Sequence, residues 1–270
     1  MLKQPRTPGG EKLRTLRQHA GKTQLAVELE ADLGSGYLQR VESGKVAQPE
    51  RKTLERILSA LEANYRARAE VLDLFGYTAA RPLPSRREIA WACRTCRPDL
   101  DAALFPAYLL DCGQRLLAWN RAVAPLFGLA EDDPEMEQLR YRCIIDAWYN
   151  PQSRLYALIA EPEQFLSQMM RALLHEMQPF RHEAWCRLLF KRWLSELPPF
   201  RDCWSKTAGD ERGAIAARST GYWSLKAPDG ALLQFRLTVE YVRSDPRFRL
   251  LCFLPADAET IQRCTLWARR

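Results

Sequence analysis

No apolar stretch in this chain approaches the roughly 18 residues that a membrane-spanning helix needs. The opening "MLKQPRTPGGEK" carries no apolar segment of the kind a secretory signal requires. A cytoplasmic protein with no membrane partner is expected. Histidine is scarce: His19, His175 and His182 are the only three. They leave little general-base capacity and no nearby pair for zinc. No GxGxxG, P-loop or HExxH pattern occurs, and no Ser/His/Asp set stands out, so no catalytic residue, metal or cofactor is assigned. The eight cysteines are mostly scattered singly among apolar residues, as small buried hydrophobes are in a reducing compartment. Only "CRTC" at 93–96 forms a CxxC, without a second pair. A cysteine-based redox or acyl-transfer enzyme is therefore the alternative from another class.

What is abundant is positive charge, and it is unevenly placed. The net charge is +7 over 270 residues. Residues 1–100 hold 18 Lys/Arg against 12 Asp/Glu, an excess of +6, while the remaining 170 carry only +1. The asymmetry points to a polyanion partner for the N-terminal third alone.

Apolar periodicity divides the chain along similar lines. Leu13, Leu16 and Ala20 recur at helical spacing in "EKLRTLRQHA", and Thr23 is placed to cap "TQLAVELEA". "GSGYLQRVESGK" (34–45) puts Leu38 and Val41 on one helical face and Gly36, Arg40 and Ser43 opposite. Leu54, Ile57, Leu58 and Leu61 mark a fourth helix, and "RARAEVLDLFGY" a fifth closed by Gly76. "TAARPLPSRR" has no periodicity and reads as linker, followed by a bridging helix near 88–102.

Beyond residue 104 the pattern becomes mixed. "AYLLD" and "RLLAWN" flank the turn "CGQ", predicting a β-hairpin. Helical segments, broken at prolines, run from about 134 to 206. "TGYWSLKAP", "ALLQFRLTVEYV" and "FRLLCFLP" then read as strands, the first two joined by Asp229-Gly230, a strong hairpin signal. Two strands, helices and three strands make a five-stranded antiparallel sheet with helices on one face, a layout compatible with a PAS-like fold.

Residues 11–63 resemble the Cro/repressor (XRE) type of helix-turn-helix, on Thr23-Gln24 and the register ending in "VESG" at 41–44. "FPAYLLD" (105–111), "LLAWNRAVAPLFG" (116–128), "PPFRDCW" (198–204) and the final hairpins resemble the ligand-binding domain of MmyB-like bacterial transcription regulators. The expected fold class is multidomain. An all-α five-helix helix-turn-helix domain (1–78) precedes a linker and bridging helix (79–102). An α+β PAS-like domain with a five-stranded antiparallel sheet (103–270) follows.

The first resemblance implies a double-stranded DNA operator as partner. It implies that Gln24 bonds a phosphate and that Ser35, Gly36, Gln39 and Arg40 lie on the exposed face of the recognition helix. Arg40 is the expected bidentate partner of guanine. Glu42 is expected to pair with Arg17 as a structural ion pair, and Lys45, Arg51 and Lys52 to reach phosphates. The sequence departs from the pattern at Glu28, Asp32 and Gly34, where alanine, glycine and a Ser/Thr cap are usual, and Gly36 offers no side chain to a base.

The second resemblance implies a lipid-like ligand, a fatty acid, inside the C-terminal domain. Met169, Met170, Leu173, Trp193, Leu233, Phe235 and Leu237 would line a deformable apolar cavity. Arg201, Arg236, His182 and Tyr222 are candidates to hold its carboxylate, although strand alternation turns Arg236 outward. A homodimer would set two recognition helices about 34 Å apart. The alternative within the same class is a C-terminal domain that only dimerises or docks a protein partner.

Overall fold

The computed structural model describes residues 7–130, 132–207 and 222–269. The chain divides into two compact units, the first ending at Arg81 and taking in Arg243–Pro246, the second beginning at Pro82. Among the described residues no helix is long and apolar enough to cross a membrane.

The first unit has five helices: α1 (Pro8–His19), α2 (Gln24–Glu30), α3 (Tyr37–Glu42), α4 (Arg51–Ala60) and α5 (Tyr65–Leu74). Their inward stripes, with Leu13, Val27, Leu38, Val41, Leu54, Ile57, Leu58 and Val71, form one core. Helix α1 starts three residues earlier than its apolar period suggests. Thr7 caps it, Oγ1 accepting from Gly10 N at 3.2 Å, and Pro8 sits in the first turn, where its missing N–H costs nothing. Gly10 lets α1 approach the end of α3, since a Cβ there would stand 2.6 Å from the Val41 carbonyl oxygen.

The second unit is built on β1 (Ala107–Asp111), β2 (Leu116–Trp119), β3 (Trp223–Lys226), β4 (Leu232–Tyr241) and β5 (Phe248–Pro255). They form one antiparallel sheet in the order β2-β1-β5-β4-β3. Both expected hairpin turns are present, with Gln114 and Gly230 at positive φ. Between β2 and β3 lie α7 (Val123–Leu126), α8 (Pro134–Leu139), α9 (Ile144–Trp148), α10 (Arg154–Ala157), α11 (Pro162–Met177), α12 (Ala184–Glu196) and α13 (Pro198–Thr207). The breaks between these helices fall largely where the prolines predict. The expected strand residues 220–221 lie outside the described residues.

Two expectations change. The sheet is covered on both faces, not one. Helix α6 (Arg86–Ala102) sets Ile89, Ala92, Cys96 and Leu100 against Leu109, Phe248 and Leu250, so the segment read as a bridge is part of the second unit's core. The linker reading followed composition, whereas packing follows the apolar face. The strands are also followed by a helix, α14 (Ala258–Arg269), whose Cys264 is buried in the larger core.

Helix α6 begins with a capping box: Glu88 N donates to Ser85 Oγ, and Ser85 N donates to Glu88 Oε2 at 2.7 Å. Arg247, buried on the sheet side, donates to the other oxygen of Glu88. Burial pushes the Glu88 carboxyl up, but the Ser85 and Arg247 hydrogen bonds outweigh it and hold it below the usual range. A depressed carboxyl contributes stability above its unfolded pKa, and that contribution disappears as pH falls through the folded value. The thermal midpoint of the wild type is therefore expected to drop more steeply between about pH 5 and pH 3 than that of Glu88→Gln, which lacks this titration. Parallel melts at several pH values check this.

Candidate functional site

Helix α3 is six residues long, too short to persist without tertiary support. Leu38 and Val41 seat it on the core. Its N-terminus is capped from a neighbouring helix. Glu28, 3% exposed in the middle of α2, accepts from Gly36 N at 3.0 Å and from Leu38 N at 2.8 Å. Tyr37 N donates to the Gly34 carbonyl at 3.1 Å. Three N–H groups that a helix start leaves bare are thus answered, and the carboxylate also lies at the positive end of the helix.

This accounts for the departures in the motif. Gly34 can forgo a capping side chain because Glu28 supplies one. Asp32 takes the left-handed φ of 51° at the place where glycine is usual, a conformation that Asp tolerates. Gly36 takes φ 75° before the helix. Ser35 and Gly36, expected on the face of the recognition helix, therefore lie in the turn that precedes it.

The other end of α3 is tied by Glu42, 4% exposed. Arg17 from α1 makes a two-pronged bond to it, at 2.7 and 2.9 Å, and Gln24 Nε2 adds a third at 2.8 Å. The structure thus brings Arg17 and Glu42 together. It also engages the Gln24 amide, expected on a phosphate, with the same carboxylate. Gln39, Arg40, Lys45, Arg51 and Lys52 are all exposed. The Arg40 guanidinium lies 5.7 Å from the Tyr37 ring centroid, and Arg51 bonds Glu55 at 2.8 Å, a partner that a phosphate would have to displace.

In the second unit a cavity of about 810 Å³ opens between the sheet and helices α9 and α11. This volume lies within the usual ~300–1,000 Å³ of ligand sites. One end is closed by Trp148, Phe165, Trp223 and Phe253, all deeply buried. The other is polar and meets solvent, with Tyr241 and His175 exposed beside Gln114, Glu176 and Arg249. From Phe165 to Glu176 the cavity follows α11 for twelve residues, about 16 Å.

Of the residues expected to line it, Met169, Leu173 and Leu237 do. Met170, Leu233 and Phe235 are buried in the surrounding core instead, and Phe235 packs edge-on against Phe253. Trp193 is buried among Phe190 and Phe200, its Nε1 donating to Asp146 at 2.9 Å. Arg201, on the outward side of α13, and His182, in the turn before α12, are exposed and do not border the cavity. Tyr222 does not line it either, and receives a 3.1 Å hydrogen bond from Arg236. Arg236 borders the cavity, but its register opposite Leu254, one residue out of phase with Leu237, sends the side chain to the other face.

The charged pair that does meet the cavity is Arg249 with Glu176, which sequence reasoning did not single out. A signal existed: Arg249 is in phase with the apolar Leu251 and Phe253. It is buried, donating to Glu176 Oε2 and Gln114 Oε1, both at 2.6 Å, and to the Asp111 carbonyl at 3.1 Å. All eight cysteines are free thiols. Within "CRTC", burial pushes the Cys96 thiol up to about 11, away from nucleophilic chemistry.

Glu28→Ala leaves two α3 N–H groups unanswered and is expected to destabilise the first unit by about 1–3 kcal/mol. Glu28→Gln, which keeps one acceptor, should cost less. Urea unfolding followed by circular dichroism checks the order.

With this geometry in view, comparison with protein families gives two matches. Residues 10–71 match a helix-turn-helix domain. Residues 99–266, more than half of the chain, match the MmyB-like transcription regulator ligand binding domain. A comparison with curated proteins gives no match. The first match spans the unit whose α3 is held by Glu28 and Glu42, and the second spans the sheet and its cavity. The chain belongs to the family of MmyB-like transcription regulators, with a DNA-binding helix-turn-helix domain ahead of the ligand-binding domain.

Proposed function

We propose that this regulator binds a lipid-like molecule with a single acyl chain, a fatty acid being the simplest member, and that occupancy of the cavity modulates operator binding by a homodimer. The observation that carries this is the cavity itself: elongated, walled by Met169, Leu173 and Leu237, closed by aromatics at one end and polar at the other. A single acyl chain with one polar head has that shape and polarity. On the DNA side, α3 would enter the major groove with Arg40 reading guanine and Gln39 beside it. Lys45, Arg51 and Lys52 would reach phosphates from exposed positions. Ligand acts by binding one dimer geometry more tightly than the other.

Native mass spectrometry followed by organic extraction is expected to release an acyl compound from the purified protein. Adding a fatty acid to ligand-stripped protein should change its affinity for DNA selected from a random pool. A protein that releases nothing, and whose DNA affinity ignores added fatty acid, would instead support a second unit that only dimerises or docks a partner. Arg40→Ala is expected to lower discrimination between selected and random DNA by about 1–3 kcal/mol. Lys52→Ala should weaken both alike and reduce the salt slope by about one. Fluorescence anisotropy over a salt series separates the two.

A further inference from the structure

How well Arg40 reads a base depends on what holds it before DNA arrives. In a helix, long side chains lean toward the N-terminus, so Arg40 runs back over Tyr37, three residues earlier. Its guanidinium lies 5.7 Å from the Tyr37 ring centroid, within the ~6 Å reach of a cation–π contact. Among the described residues, the Arg40 side chain makes no hydrogen bond or ion pair. Other arginines of the first unit are held through their N–H groups: Arg17 donates to Glu42, Arg51 to Glu55 and Arg56 to the Asp32 carbonyl. An aromatic ring engages the guanidinium through its charge and takes none of its donors. The whole fork of N–H groups stays available to a base edge.

The ring is itself fixed. Tyr37 opens α3, and Glu28 accepts from the N–H groups on both sides of it, those of Gly36 and Leu38. The Tyr37 N–H donates to the Gly34 carbonyl at 3.1 Å, and the half-buried side chain packs against the first unit's core. A free arginine surrenders much rotamer freedom on binding, whereas one already held against a fixed ring surrenders less. We propose that Tyr37 is a positioning residue for base recognition, its ring holding Arg40 poised for the major groove in the DNA-free protein. This deepens the reading of Arg40 as the guanine-binding residue and rests on it. The ring carries the role and the hydroxyl does not. Phenylalanine should therefore serve as well as tyrosine, and leucine, which fills the same edge of the core without a ring, should not.

The test uses the full chain, with DNA selected from a random pool and random DNA of equal length, compared by fluorescence anisotropy. Tyr37→Leu is expected to lower the ratio of selected to random affinity by about two- to fivefold, the size of an exposed cation–π contact. Tyr37→Phe should leave that ratio unchanged, even where loss of the hydroxyl weakens both affinities alike. Once Arg40→Ala has removed the guanidinium, Tyr37→Leu should change the ratio no further. A Tyr37→Leu loss of equal size in both backgrounds overturns the proposal, because the ring would then act without Arg40. So does an unchanged ratio in Tyr37→Leu, or a loss in Tyr37→Phe that matches it. One measurement needs no variant to fold. Nuclear Overhauser contacts between the Tyr37 ring protons and the Arg40 δ-methylene are expected in the DNA-free wild type, and their absence overturns the pairing. An Arg40→Ala protein that keeps full discrimination removes the reading of Arg40 itself, and the role of Tyr37 with it, an outcome distinct from those above.

Discussion

A charge withdrawn from water must find its partner inside the protein, and in both units the functional geometry is organised around that requirement. In the first unit the buried groups are Glu28 and Glu42. In the second they include Asp111, Arg247 and Arg249. Each is answered by specific partners: backbone N–H groups for Glu28, Arg17 and Gln24 for Glu42, Glu88 for Arg247, and Glu176 with Gln114 for Arg249. Asp111 takes the N–H groups of Gly113 and Arg115 as well as the Arg115 guanidinium. Apolar packing supplies most of the driving force for folding, but it is non-directional. These pairings add direction.

The consequence is clearest at α3. Two apolar residues bury against the core, too few to fix the axis of a six-residue helix. Glu28 holds one end and Glu42 the other, and the exposed face between them presents Gln39 and Arg40. In the second unit a buried ion pair borders the cavity. The Arg249–Glu176 pair stands at the polar end of the cavity. A site for an apolar ligand is thereby combined with a polar boundary of fixed charge.

Much of this was legible in the sequence, for identifiable reasons. Helical periodicity located the five helices of the first unit, because each has a single apolar stripe facing one core. Turn chemistry at Asp229-Gly230 located one hairpin, because the positive φ at Gly230 restricts which residues can serve there, whereas at "CGQ" Gln114 takes the positive φ and the alternating flanks marked the turn. Glu42 and Arg17 could be paired from the motif. The cavity was less legible. Met169, Leu173 and Leu237 line it while Met170, Leu233 and Phe235 pack around it, and composition cannot separate an apolar wall from apolar core. Glu28 was visible as a departure from the pattern, yet its role depends on reaching backbone groups eight and ten residues away.

The sequence by itself determined the division into a basic helical unit and an α+β unit, the strand inventory and the likeness to a regulator of this kind. These are set by local periodicity, turn residues and charge distribution, all of which are properties of neighbours along the chain. Only the tertiary structure decided that α6 belongs to the second core, that Glu28 caps the recognition helix, and that Arg249 is answered by Glu176. Those depend on which faces meet, and residues 73 positions apart, such as Arg249 and Glu176, leave no mark of their pairing in the local pattern.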